Sequence, residues 1–260
     1  MGHVRLGVLP GTSSWKTVTS LLDDGRTETE IVAASAKAAS QDLLRAAEDP
    51  VFVEVVRLLL AIPVAARNEN FGAELRRNHL NIRDAPELFD ILLAVTERLD
   101  VVRQSERAKS DFGELAGRAL SKTLTTMIGD ALPGLFGATA ADVQIAARNL
   151  SWSRSVSEYS RAFFGSLLTE TLSYWLDRTL STQVGDGLRF KDMTARSAFD
   201  VALSQYAAEA TRIIKEFSGG WYGKTLHREG YFSQKNAAVF GAVALKKVVA
   251  ELHRRDVPND

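Results

Sequence analysis

The stretch that decides the fold is ATRIIKEFSGGWYGKTLHREGYF, residues 210–232. Its glycine-rich segment ends in Gly223-Lys224-Thr225, the last three residues of the phosphate-binding pattern G-x-x-x-x-G-K-[ST]. The first glycine of that pattern falls on Ser218, and a loop that begins at Gly219 is one residue too short. A phosphate-binding loop also follows a strand, whereas a helical apolar period precedes these glycines. The sequence therefore argues against a nucleotide-binding loop.

Because the sequence argues against a nucleotide-binding loop, we interpret Gly219-Gly220 as the end of a helix that covers residues 194–217. One of the two glycines would adopt the left-handed conformation that commonly terminates helices. Trp221 and Tyr222 would then pack back onto the neighbouring helices. This interpretation makes the segment a structural turn.

Helical signals dominate the rest of the chain. Thr27 and Glu30 have the spacing of a capping box, and apolar residues between Leu88 and Leu99 recur with a helical period. We find no convincing period-two alternation that would indicate a sheet. The predicted helices cover residues 27–48, 51–66, 69–79, 84–99, 105–132, 139–150, 156–180, 194–217 and 233–255.

These patterns predict an all-α fold, a compact array of about nine to eleven helices with no significant sheet. We expect a single helical domain over residues 1–260. The alternative is a boundary at the LPGLFG turn, residues 132–137, which would separate an N-terminal helical subdomain (1–132) from a C-terminal one (138–260).

Composition excludes several classes of function. The 260 residues include no cysteine, so disulfides, thiolate nucleophiles and cysteine-ligated zinc are excluded. The formal net charge is zero, so the chain lacks a global attraction for nucleic acid or anionic lipid. The most apolar run, residues 51–66, contains charges and is shorter than the roughly 20 residues of a membrane span. With no signal-peptide pattern at the N-terminus, we expect a cytoplasmic protein without a membrane span.

Residues typical of catalytic sites are sparse. The four histidines lie far apart in the sequence, and neither an H-E-x-x-H nor a G-x-S-x-G motif occurs. We therefore predict no catalytic residue, no metal ligand and no cofactor, although an enzyme whose site is assembled from distant helices would escape such a scan. An unrecognised enzyme remains the third hypothesis.

The leading hypothesis is a non-enzymatic helical subunit that binds other proteins in a bacterial multi-component assembly. Large aromatic residues and nearby cations are enriched at interfaces. The stretches FGELAGRAL, LPGLFGATAADVQ and EFSGGWYGKT resemble parts of uncharacterised helical proteins from bacteria, which implies a bacterial origin. The partner is another protein or a second copy of this chain. The expected partner-binding residues are Trp221, Tyr222, Lys224 and Trp175.

A nucleic-acid-binding accessory protein is the second hypothesis. Arginine residues interleaved with aromatic residues can hold phosphates and stack bases. The same pattern also arises when a helix buries its rings while its arginines reach water. The residues expected to contact nucleic acid are Arg148, Trp152, Arg154, Arg161, Lys246 and Lys247.

Overall fold

Eleven α-helices form the described part of the chain, which covers residues 9–106, 111–134 and 137–255 of a computed structural model. No sheet occurs in these ranges, so the predicted all-α fold class is confirmed. In chain order the helices are α1 (Ser13–Asp23), α2 (Glu28–Ala46), α3 (Pro50–Ala65), α4 (Phe71–Arg77), α5 (Leu88–Ser105), α6 (Asp111–Gly129), α7 (Ala140–Asn149), α8 (Ser153–Ser181), α9 (Met193–Ala210), α10 (Arg212–Glu229) and α11 (Gln234–Arg255).

Local capping signals in the sequence place several helix starts correctly. The Thr27 hydroxyl accepts from the Glu30 amide at 3.3 Å, and the Glu30 carboxylate accepts from the Thr27 amide at 2.9 Å. Thr139 caps α7 through the same reciprocal pair, here with Asp142. Ser233 accepts a hydrogen bond from a backbone amide in the first turn of α11. These bonds satisfy amides that have no partner inside the helix, and they depend only on neighbouring residues.

Two predicted helix starts lie four or more residues away from the observed ones. The helix predicted over 105–132 is α6, which begins at Asp111, while Ser105 is the last residue of α5. Residues 107–110 lie outside the described ranges. The start predicted at Asp84 is also early, because α5 begins at Leu88 and Glu87 acts as its capping residue.

The predicted helix end at Gly219-Gly220 is wrong. Both glycines lie inside α10, and the chain breaks earlier, at Thr211, between α9 and α10. The left-handed glycine that ends α10 is Gly230, whose φ is 75°. The glycine that terminates the helix is therefore Gly230, ten residues after Gly220.

Close helix packing explains why a glycine is retained inside α10. A Cβ atom at Gly219 would lie 2.5 Å from the Ser153 carbonyl oxygen and 2.5 Å from the Ser157 hydroxyl of α8. Gly220 has open space around the equivalent position. Only glycine at position 219 lets α10 approach α8 at this distance, although glycine weakens a helix by about 1 kcal/mol.

Helix α3 lies at the centre of the packing and contacts α5, α6, α7 and α11. It carries a buried carboxylate, Glu54, that is 0% exposed. Glu54 accepts from Arg57 at 2.7 and 2.8 Å and from Arg98 of α5 at 2.6 Å, and the Gln234 amide of α11 also donates to it. Arg57 donates further to Asn78, just after α4. A single charged network therefore connects α3, α5, α11 and the residue that follows α4 through the core.

Helices on the two sides of residues 132–137 pack against each other, α6 against α8 and α3 against α11. The organisation into one domain stays a prediction. Within the described ranges, no helix combines the length and the apolar character needed to cross a bilayer.

Candidate functional site

The segment that resembles a phosphate-binding loop is helical. Residues 218–225 all lie in α10, and the element directly before α10 is the helix α9. Interior backbone amides of an α-helix donate to carbonyl groups four residues earlier, so they do not converge on an anion. The segment therefore lacks the geometry of a nucleotide-binding loop.

The aromatic residues predicted as partner anchors in this segment mostly contribute to the core. Tyr222 is 1% exposed and stacks on Phe232 with ring centroids 5.0 Å apart, so it is corrected from a surface anchor to a core residue. Trp221 is half-buried, and its ring centroid lies 4.7 Å from that of Phe240 and 6.0 Å from that of Phe232. Lys224 is exposed. The predicted group therefore offers a partner one cation and part of one ring.

Two buried tyrosine hydroxyls lie between α8 and α10. Neither the Tyr159 nor the Tyr222 hydroxyl forms a hydrogen bond with another described residue. Burial raises the pKa of Tyr222 to about 12, although the charge of Arg67 opposes the shift. Burial and the nearby Tyr222 raise the pKa of Tyr159 as well. Both phenols therefore remain neutral at physiological pH.

An apolar groove opens between the start of α5, the end of α6 and the start of α7. It has a volume of about 610 Å³, and Leu88, Phe89 and Leu92 form one wall. Phe89 is 72% exposed, and Leu93, one turn further along α5, is 50% exposed. The remaining apolar lining comes from Leu132, Ala138 and Val143.

Only part of the signal for this groove is present in the sequence. Leu88, Leu92 and Leu99 fit the inward-facing period of α5, whereas Phe89 and Leu93 fall one residue outside it. Large apolar side chains outside the buried period of a helix are the residues that remain exposed after folding. Such positions mark an apolar surface only after the buried face is known.

Charge at the groove has one sign. Among its described lining residues, the charged ones are Glu87 and Asp130, both carboxylates. Glu87 forms an ion pair with Arg83 at 2.9 Å. Asp130 is exposed and has no ion-pair partner among the described residues. The groove is therefore apolar with an acidic rim.

The predicted nucleic-acid residues are only partly brought together. Arg148, Trp152 and Arg154 are exposed at the junction of α7 and α8, and Trp152 is 57% exposed. The structure adds Arg67, which sequence reasoning missed, with its guanidinium 5.0 Å from the centre of the Trp152 ring. Ser151 orients Arg67, since its hydroxyl accepts from Arg67 Nε at 2.8 Å. A basic surface with one exposed ring results.

The other predicted basic residues lie elsewhere. Arg161 is half-buried on α8 and donates to the Ala208 carbonyl at 3.1 Å. Lys246 is exposed on α11, and Lys247 lies 5.4 Å from the centre of the Phe217 ring of α10. Arg161 and Lys247 therefore make contacts that do not involve Trp152, and Lys246 lies on a different helix from it.

The last predicted partner residue, Trp175, is half-buried on α8 beside two other aromatic rings. Its ring centroid lies 6.2 Å from Trp15 and 5.0 Å from Tyr174. Two adjoining cavities, of about 440 and 360 Å³, both include Trp175 in their lining. Trp175 therefore lies in the wall that the two cavities share.

The described residues include no group of three or more histidine, cysteine, aspartate or glutamate side chains arranged to hold a metal ion. Comparison with known proteins gives no family for the chain: no family, curated protein or solved structure matches it significantly.

Proposed function

We propose that this protein binds another protein through the apolar groove of α5, α6 and α7. The exposure of Phe89 carries the proposal, since 72% of a large apolar side chain faces solvent beside a cavity lined by leucines. Contiguous exposed apolar surface next to a groove is typical of interaction sites on soluble proteins. Scattered single apolar residues, such as Val201 on α9, carry no such meaning.

The chemistry of the groove favours an amphipathic helix as its occupant. Helices dock in apolar grooves through side chains spaced three and four residues apart. Phe89 lines the groove, and Leu93 lies four residues further along the same face of α5, outside the lining, so the two extend the exposed apolar surface beyond the groove. Glu87 is paired with Arg83, and the carboxylate of Asp130 at the rim favours a lysine or arginine beside the apolar face of the partner.

Replacing Phe89 or Leu93 with serine is expected to weaken partner binding by about 30-fold, the effect of losing an interface residue worth about 2 kcal/mol. Stability should change little, because both side chains are already largely in water. A library of displayed helical peptides, selected on the folded protein, would supply ligands. Fluorescence anisotropy would then measure their dissociation constants for the wild type and the two variants.

Val201→Ser is the matched control, since Val201 is 55% exposed on α9 and does not line the groove. The proposal predicts that selected peptides combine an apolar face with basic residues and lose affinity only for the groove variants. Peptides that bind all variants equally would contradict it. So would concentration-dependent self-association in sedimentation that Phe89→Ser abolishes, because the groove would then be occupied by a second copy.

Nucleic-acid binding is a second candidate, favoured by the exposed Trp152 under the Arg67 guanidinium. An exposed ring with flanking cations can stack a base and hold the adjacent phosphates. Arg148 and Arg154 supply further cations at the same junction. This surface is small, so a single strand suits it better than a duplex.

Trp152→Ala is expected to weaken the binding of a single-stranded oligonucleotide at low salt by about tenfold, the loss of one stacked base. Arg154→Ser should reduce the salt dependence of binding. Arg178→Ser, which removes an exposed cation near the other end of α8, is the control. Mobility-shift titrations at several salt concentrations measure all three, and no binding at low salt would eliminate this candidate.

A further inference from the structure

Two adjoining cavities around Trp175 have complementary linings. The first, which we call the acidic cavity, has a volume of about 440 Å³ and lies between α2, α3, α6 and α8. The second, the donor cavity, has a volume of about 360 Å³ and lies between α1, α2 and α8. Both are lined by Asp42, Arg45 and Trp175. A ligand that enters one cavity can therefore extend past Trp175 into the other.

Three carboxylates surround the acidic cavity. Asp42 pairs with Arg45 at 2.9 Å, Asp49 accepts from the Phe52 amide at 2.9 Å, and Asp111 accepts from the Tyr174 hydroxyl. Arg45 is the only cation among the described lining residues, so the acidic cavity has an excess of negative charge. Asp49 and Asp111 form no ion pair with a described residue, and each can accept a further hydrogen bond from a cationic ligand.

Aromatic rings complete the wall of the acidic cavity. Trp175 and Tyr174 lie edge to face with centroids 5.0 Å apart, and Phe112 lines the same space. The face of an aromatic ring attracts a cation, and an ammonium group near both rings and carboxylates gains from each. Because the carboxylates are distributed around rings, the cavity suits an organic ammonium group.

The donor cavity has one buried hydrogen-bond donor in its wall that lacks an acceptor among the described residues. Trp15 lines it and is 1% exposed, and its indole N–H has no acceptor among the described residues. An unsatisfied buried donor costs about 1–3 kcal/mol, so an acceptor on a ligand would recover a substantial interaction. Gln41 adds an amide to the same lining, and Arg45 adds a guanidinium that also donates to Asp42 at 2.9 Å. These groups suit a carboxylate.

We propose that the paired cavities bind a small zwitterion, a molecule with an ammonium group at one end and a carboxylate at the other. The ammonium group lies in the acidic cavity between Asp49 and Asp111, against the Trp175 ring. The carboxylate lies in the donor cavity, where the Trp15 N–H and Arg45 donate to it. The volumes fall within the range of about 300–1,000 Å³ that is usual for small-molecule sites. The site is separate from the apolar groove and does not depend on the proposed protein partner.

Isothermal titration calorimetry with a series of ω-amino acids tests the proposal, using 4-aminobutanoate, 5-aminopentanoate and 6-aminohexanoate. Each is compared with the amine and the carboxylate of the same chain length. The series covers different separations of the two charges. We expect at least one amino acid to bind about tenfold or more tighter than both of its monofunctional analogues, because two charged ends contribute.

Variants then assign each end of the ligand. Asp111→Asn should weaken the binding of the amino acid and of the amine by about tenfold and leave the affinity for the carboxylate analogue unchanged. Trp15→Phe keeps a large ring but removes the N–H donor, so it should weaken the binding of the amino acid and leave the affinity for the amine unchanged. Trp175→Leu should weaken every cationic ligand. Trp152→Phe, which alters an exposed ring that lines neither cavity, is the control.

Thermal unfolding of each variant shows whether it is folded, and Asp49→Asn, which retains a capping side chain, replaces Asp111→Asn if that protein unfolds. Three results would overturn the proposal. The first is no binding across the series at millimolar concentration. The second is an amine that binds as tightly as its amino acid. The third is wild-type affinity in both Asp111→Asn and Trp15→Phe.

Discussion

Glu54→Gln is expected to lower the free energy of unfolding by about 3 kcal/mol, near the lower end of the range for breaking a buried ion pair. Glutamine nearly preserves the shape of the side chain but removes the charge that Arg57 and Arg98 share. Glu54 is 0% exposed and Arg57 is buried too, so water cannot replace the lost partner. Urea denaturation followed by circular dichroism measures the loss.

Glu97→Gln serves as the matched control for this prediction. Glu97 is exposed on α5 and has no ion pair with a described residue, so the same chemical change should alter stability by less than about 0.5 kcal/mol. Equal stability of the Glu54→Gln protein and the wild type would show that the network contributes nothing to the fold.

The effect of Glu54→Gln should depend on pH. Burial alone would raise the pKa of Glu54, but hydrogen bonds and charge from Arg57 and Arg98 outweigh it and hold the pKa below its ordinary value of 4.5. A carboxyl group whose pKa is lower in the folded state stabilises the protein above the unfolded pKa and loses this contribution as the pH falls through the folded value. The stability difference between wild type and variant should therefore be full near neutral pH and shrink below about pH 4.5. A constant difference down to about pH 3 would contradict the assignment.

Alanine at Gly219 and alanine at Gly220 are expected to change stability in opposite directions. Gly219→Ala should destabilise the protein by about 1–3 kcal/mol, because the new methyl group would meet the Ser153 carbonyl and the Ser157 hydroxyl at 2.5 Å. Gly220→Ala should stabilise it by about 0.5–1 kcal/mol, because the site is exposed in the interior of α10 and alanine favours a helix.

Thermal and urea denaturation of the two proteins provide the measurement, and the adjacent sites act as controls for each other. A helix that ended at these glycines would give a different result, since alanine in a left-handed cap destabilises the fold. Loss of stability at position 220 would therefore contradict the continuous α10. Unchanged stability at position 219 would contradict the close approach to α8.

The apolar groove and the Trp175 cavities illustrate what the sequence could not predict. Phe89 lies outside the inward-facing period of α5, but whether such a residue is covered depends on where α6 and α7 are placed. Trp15 and Trp175 are separated by most of the chain, yet their rings lie 6.2 Å apart. Arg67 was missed beside Trp152 for the same reason, because nothing near it in the sequence marks it as a neighbour of α8.

The sequence by itself determined the helical class of the fold and helix starts such as those at Thr27 and Thr139. Both depend on interactions between residues a few positions apart, namely the helical apolar period and the capping hydrogen bonds. Only the tertiary structure shows the role of Gly219, because the missing side chain allows α10 to pack closely against Ser153 and Ser157 of α8. The tertiary structure also determines that Glu54 is buried in an ion-pair network, because its partners Arg98 and Gln234 come from distant parts of the chain. Gly219 and Glu54 fit the space and the charges that neighbouring helices provide. Sequence patterns over a few residues do not specify which helices become neighbours, so they cannot predict these roles.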